Sequence, residues 1–238
     1  KSISVKDIEG IIKEIRQVDK DVIIMIDNCY CEMVEKTSPL EVGANIIVGS
    51  LIKNLGGSLA SNGAYICGDK KLIELCSERL NLPGEGLDVG PSLGANKSIL
   101  QGLYFAPSVV ASSLKTAVLA SYLLEKLGYT VSPKYNEHRS DIVEAITFRN
   151  KDLLVKYVEG IQKYSPIDSN TLPIAAPMPG YDDDIIMASG SFTQGSSIEL
   201  SCDGPLREPF IAYEQGGVTY SYGKIAIINT IKEMLTEN

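Results

Sequence analysis

Two short, almost wholly apolar runs constrain this chain more than any other feature: Val22–Ile26 and Ala44–Val48. Neither alternates polar and apolar residues, so each is expected to be covered on both faces, as strands of a mainly parallel α/β sheet are. The first runs into Asp27-Asn28 and the second into Gly49-Ser-Leu-Ile-Lys53. Parallel strands bring their C-terminal ends out along one edge, where open α/β sheets bind ligands. Asp27 and Lys53 are therefore expected on a common edge. A carboxylate and an amine so placed suit a pyridine-aldehyde cofactor: the amine forms a Schiff base, and the carboxylate keeps the ring nitrogen protonated so that the ring accepts electrons. Each residue alone also has a plainer reading, Asp27 as a turn former or helix cap and Lys53 as a solvated side chain.

The surrounding pattern supports the sheet. Ser4-Val-Lys-Asp7 precedes Ile8, Ile11, Ile12 and Ile15 at helical spacing, which predicts a helix over 5–18. A glycine-rich loop, Gly56-Gly57-Ser-Leu-Ala-Ser-Asn-Gly63, leads to a short strand at 64–67 and a helix at 70–80. Residues 96–127 read as one or two long apolar helices, kinked or divided at Gly102 or Pro107, of the kind that bridges domains or builds a subunit interface. Beyond Gly128 strands are expected at 129–132, 143–148, 185–190, 196–202 and 210–213, with helices at 151–164 and 221–236. The domains expected are thus an incomplete large domain at 1–95, connecting helices at 96–127 and a smaller α+β domain at 128–238.

A formal charge of -8 with no basic stripe argues against nucleic acid as a partner. No uninterrupted apolar run reaches the ~18 residues of a membrane span, and no secretory signal opens the chain. Five scattered cysteines, three of them in apolar strand or helix patterns, fit core thiols in a reducing, cytoplasmic setting. Cys29-Tyr-Cys31 lacks a second pair of ligands, the lone His138 lies in a polar loop sequence, and Tyr181-Asp-Asp-Asp184 reads as a solvated acidic turn, so no metal site is expected.

The ordered set Ile26-Asp27-Asn28, Val42-Gly43-Ala44, Ser50-Leu51-Ile52-Lys53 and Leu55-Gly56-Gly57 resembles the Cys/Met-metabolism family of fold-type I pyridoxal-phosphate enzymes. The blocks Gly190–Leu200 and Asp203-Gly-Pro-Leu-Arg207 make the match closest to its aluminium-resistance, cystathionine β-lyase-like (methionine γ-lyase-like) branch. The resemblance implies the C-terminal part of a fold-type I transferase fold. It implies Lys53 as the Schiff-base lysine, Asp27 as partner of the ring nitrogen, Asn28 and Ser50 as further cofactor contacts and Arg207 as the grip on a substrate carboxylate. Pyridoxal 5'-phosphate is the implied cofactor, a sulfur-containing amino acid the implied substrate, and a homodimer or homotetramer the implied assembly.

Two positions depart from the wider family: Ile52 stands where threonine often precedes the lysine, and Cys29 where threonine often follows Asp-Asn. The phosphate cradle and ring-stacking aromatic of such enzymes are expected upstream of Lys1, as though this were the later part of a longer chain. An aminotransferase using the same cofactor and a catalytically incomplete oligomerisation fragment are the alternatives. Ser50-x-x-Lys53 also occurs in serine acyl-transferases, but Ser61-Asn62-Gly63 and Lys115-Thr116-Ala117 are poor versions of their companion motifs.

Overall fold

Helix α1 (Val5–Val18) starts where Ser4 Oγ accepts the N–H of Asp7 at 3.1 Å. Its apolar stripe, Ile8, Ile12 and Ile15, packs on Ile24 and Ala44 beside the first sheet. That sheet has three strands in the order β1 (Met25–Asp27), β2 (Ile46–Ser50), β3 (Ala64–Gly68). The structure, a computed structural model of this α/β protein, describes all residues except 1, 91, 93, 194, 237 and 238; Gln194, inside the block 190–200, thus lies outside the described residues.

Strands β1 and β2 are parallel, with Asp27 opposite Val48. Strand β3 runs antiparallel to β2, so the expectation of a mainly parallel sheet is corrected at this edge. The reason lies in the connection: 51–63 is a turn-rich loop without a crossover helix, and a parallel return needs one. Only Met25–Asp27 of the first apolar run pairs with β2, and Val22 and Ile23 are exposed.

Helix α2 (Lys70–Leu80) is capped by Asp69, whose Oδ1 accepts from Lys71 and Leu72. Helix α3 (Asn96–Lys126) runs undivided through both Gly102 and Pro107. By length and composition α3 is apolar enough to cross a bilayer, with a mean hydropathy of 1.3 over an 18-residue window, which a search for uninterrupted apolar runs misses. In the fold its stripe Ala106, Val109, Val110, Ala117, Ala120 and Leu124 is buried, and the helix packs on helix α5 (Tyr220–Thr236) and on the second sheet.

The second sheet is wholly antiparallel: β4 (Thr130–Ser132), β5 (Glu144–Thr147), β8 (Ile211–Gly216), β7 (Leu200–Pro205) and β6 (Ile185–Ser189), in that spatial order. Helix α4 (Lys151–Lys163), α5 and the end of α3 supply Leu124, Leu154, Tyr157, Ile161 and Ile227 to a core with Ile146, Ile186 and Leu200. Strand β7 begins at Leu200 rather than at 196. Ser197 Oγ accepts from Glu199 N–H at 3.2 Å, and Ser201 Oγ accepts from Ser197 N–H at 3.3 Å. These local bonds compete with a ladder and keep 195–199 out of the strand. Of the five free cysteines Cys202 is buried, whereas Cys67 is exposed despite its strand position.

Gly102 is a contact rather than a break. A Cβ there would lie 2.1 Å from the carbonyl oxygen of Gly56, and a Cβ on Gly57, at φ +52°, would lie 2.4 Å from the oxygen of Gly102. Helix α3 thus presses backbone to backbone against the turn that follows Lys53. Gly102→Ala is expected to cost about 1–3 kcal/mol in denaturant unfolding, whereas Gly10→Ala in α1, with open space around it, should stabilise by about 0.5–1 kcal/mol.

The core of the second sheet holds a buried acid pair. Glu144 and Glu214 face each other across β5 and β8. Glu144 accepts from Arg139, and Glu214 accepts from the Tyr157 hydroxyl. Burial pushes Glu214 up to about 7 and Glu144 to about 8, the latter against the pull of Arg139. Because folded pKa values above the unfolded one mean that the folded state binds more protons, stability should fall as pH rises from about 5 to about 9. Thermal unfolding followed by circular dichroism should show this decline, and Glu214→Gln, which still accepts from Tyr157, should flatten it.

Candidate functional site

The register of β1 and β2 places Asp27 and the turn 51–53 at the same end of the parallel pair. Asp27 closes β1, is exposed, and accepts the N–H of Cys29 at Oδ1 (3.0 Å). Asn28 extends the ladder with an N–H···O bond of 2.8 Å to Val48 and turns its side-chain amide to the Tyr65 hydroxyl at 3.4 Å. Ser50 Oγ accepts the N–H of Ile52 at 3.3 Å, which leaves its own proton free to donate.

Lys53 is half-buried at the start of a short 3-10 turn, Asn54–Gly56. Its ammonium sits 4.8 Å above the centre of the Tyr30 ring and donates to the carbonyl of Ser196, in the loop before β7. Burial lowers the Lys53 pKa from 10.5, opposed by the negative charge of Asp203. Asp203, on β7, accepts from Ser196 Oγ at 2.8 Å, and burial raises its carboxyl pKa. The segment 195–199 is fastened to the Lys53 turn by Ile198 N–H on the Ile52 carbonyl at 3.3 Å and by Ser58 Oγ on Glu199 at 2.8 Å.

Tyr30 owes its place to Asn54, which is fully buried and donates through Nδ2 to the carbonyls of Tyr30 (3.0 Å) and Glu32 (2.8 Å). A cavity of about 970 Å³ opens beside this loop, lined in part by Asp27, Asn28, Tyr30, Glu32, Leu51 and Tyr65. Glu32, 5% exposed, accepts from the Tyr65 hydroxyl at 2.8 Å, and burial pushes it up to about 7. Cys29 is raised to about 11 by burial and by its bond with Asp27, so its thiol stays protonated.

The structure thus gathers Asp27, Asn28 and Ser50 at one end of the β1–β2 pair, with Lys53 over the adjoining Tyr30. Arg207 is not in this group: it lies exposed in the turn after β7, 3.4 Å from Asp183. Tyr30, Glu32, Ser196 and Asp203 are not singled out by the sequence pattern. Tyr30 sits in a tripeptide whose cysteines draw attention to metal ligation, and Asp203 opens a block notable only for its resemblance. The set fits a carbonyl cofactor in its donor chemistry. An amine relieved of part of its proton affinity stands ready for an aldehyde, a carboxylate closes the neighbouring strand, and a hydroxyl with a free proton lies between them in sequence.

The family model for methionine gamma-lyase matches residues 1–235. YnbB of Bacillus subtilis is 44% identical over 234 residues, and the chain, 98% of which is covered, spans 56% of that protein's length. A structure from Clostridium novyi described as a carbon-sulfur lyase involved in aluminum resistance superposes with a TM-score of 0.92 at 44% identity, covering 98% of this chain and 55% of its own. One from Listeria monocytogenes, provisionally named a cystathionine beta-lyase involved in aluminum resistance, gives 0.93 at 43%, covering 98% and 57%. Cystathionine gamma synthase from Xanthomonas oryzae, at 14% identity and a TM-score of 0.61 over 96% of this chain and 59% of its own, shares the fold. With a match from residue 1 to residue 235, the chain belongs to the methionine gamma-lyase family.

Proposed function

We propose that the full-length protein is a pyridoxal-phosphate-dependent carbon–sulfur lyase acting by β- or γ-elimination on a sulfur-containing amino acid. The observation that carries this reading is the Lys53 amine, lowered in pKa by burial and held over Tyr30 at the sheet edge where Asp27 ends the parallel partner strand. Lys53 would hold the cofactor covalently, Asp27 would face its ring nitrogen, and Asn28 and Ser50 would lie beside it. When bound, pyridoxal phosphate supplies an electron sink for the charge left on the substrate Cα.

The residues of this chain then have distinct tasks. As the free amine, Lys53 would take the substrate Cα proton at Nζ as a general base, and the burial that lowers its pKa makes the neutral amine more abundant than for an exposed lysine. Asp27 would hold its carboxylate at the ring nitrogen, which would strengthen the sink. The Tyr30 ring below Nζ limits where the amine can swing. Arg207 would reach a substrate carboxylate only by leaving Asp183, and such an exposed pair is weak, about 0–1 kcal/mol. The exposed apolar face of α3, including Leu100, Tyr104 and Phe105, supports assembly as a homodimer or homotetramer.

Incubating the full-length protein with pyridoxal phosphate should turn it yellow, and borohydride should fix the cofactor on Lys53, as read by peptide mass spectrometry. A colourless protein with unmodified Lys53 would sink the proposal. Lys53→Ala should abolish release of ammonia and keto acid, and Asp27→Asn should slow it by about 100-fold or more. Wild-type turnover in either variant would contradict the role assigned to that residue. Ammonia release without an added keto-acid acceptor separates a lyase from an aminotransferase.

A further inference from the structure

Lys53 and Asp203 come from distant parts of the chain, and Ser196 touches both. Its carbonyl accepts from Lys53 Nζ, and its hydroxyl donates to Asp203 Oδ2 at 2.8 Å. Strand β7 alternates, so the fully buried Cys202 and its neighbour Asp203 point to opposite faces of the sheet. Asp203 Oδ1 is buried and finds no hydrogen-bond partner among the described residues. Burying a carboxylate with one oxygen unpaired is costly, and an asparagine would serve the Ser196 hydroxyl equally well. A charge at this position is explained by a cation, and the cation whose field it meets is Lys53.

We propose that Asp203 is the counter-charge of Lys53, a positioning residue that supports the ammonium form of this amine from the second sheet through Ser196 whenever Lys53 is not bonded to cofactor. Two opposed demands meet at the amine. Burial makes it a free base able to attack a carbonyl or take a proton, yet after taking the proton it is a buried cation. Asp203 makes that cation tolerable. The other groups facing Lys53 do not fill this role: Cys29 is a neutral thiol at physiological pH, and the Tyr30 phenol is held protonated by burial. Because Ser196 belongs to the loop before β7, the protonation of Lys53 depends on contact between the two sheets. For its part in turnover this inference rests on the lyase reading above; for the amine equilibrium itself it rests on the shared Ser196 contact and the burial of both groups.

The test uses cofactor-free full-length protein and the pH dependence of Lys53 acylation by trace acetic anhydride, read by mass spectrometry, with the exposed Lys70 as internal standard. Asp203→Asn should lower the apparent pKa of Lys53 by about one unit, a roughly tenfold gain in labelling at pH values below it, with Lys70 unchanged. Ser196→Ala, which keeps the carbonyl but removes the hydroxyl that favours ionised Asp203, should shift Lys53 in the same direction by less. A Lys53 titration in folded Asp203→Asn that superimposes on wild type, or moves up, overturns the proposal. Should Asp203→Asn not fold, an unshifted Lys53 in Ser196→Ala overturns it instead. Neither result bears on the borohydride adduct at Lys53, so failure of this inference and failure of the lyase reading are told apart.

Discussion

One buried side-chain amide joins the two loops from which the site is made. Asn54, adjacent to Lys53, donates to the carbonyls of Tyr30 and Glu32, and those carbonyls belong to a loop in which Tyr30 and Met33 both have positive φ, 68° and 63°. A non-glycine residue in that region costs ~1–2 kcal/mol, which the loop's own turn bonds, Cys31 N–H on the Asn28 carbonyl and Val34 N–H on the Cys31 carbonyl, help to offset. The Asn54 bonds, with Ile142 N–H on the Tyr30 carbonyl at 3.2 Å, hold it in place. The position of the Tyr30 ring beneath the lysine, and of Glu32 against Tyr65, follows from that restraint.

The turn carrying Lys53 is fixed from two further directions. Helix α3 lies against it through Gly102, where the absence of a side chain lets backbone meet backbone. The segment 195–199 closes on it through the Ile52 carbonyl, Ser58 and the lysine itself. An amine held this way loses solvation while keeping an anion, Asp203, within its field. In the proposed lyase, the residue that would act as nucleophile, base and transient cation in one cycle needs both.

Much of this was legible in the residues. The helix over 5–18 and the one over 70–80 coincide with α1 and α2, because amphipathic spacing and the caps Ser4 and Asp69 are local properties. The pairing of Asp27 with the Lys53 turn followed from two apolar runs ending in polar residues. The antiparallel β3 was not legible, since strand direction depends on how the chain returns and not on the strand itself. The undivided α3 was not legible either: Pro107 and Gly102 are helix breakers by propensity, and packing along its length overrides that.

The chain's own residues therefore determined which side chains are equipped for the chemistry: one lysine and one aspartate at strand ends, with small residues around them. Only tertiary structure decided the environment that sets how they behave. It brought Tyr30 under the lysine and Asp203 beside it from far downstream, and left Arg207 at the surface with Asp183. The physical reason is that desolvation and charge act through space. A residue's identity is written at its own position, but its proton affinity is set by whatever the fold packs against it.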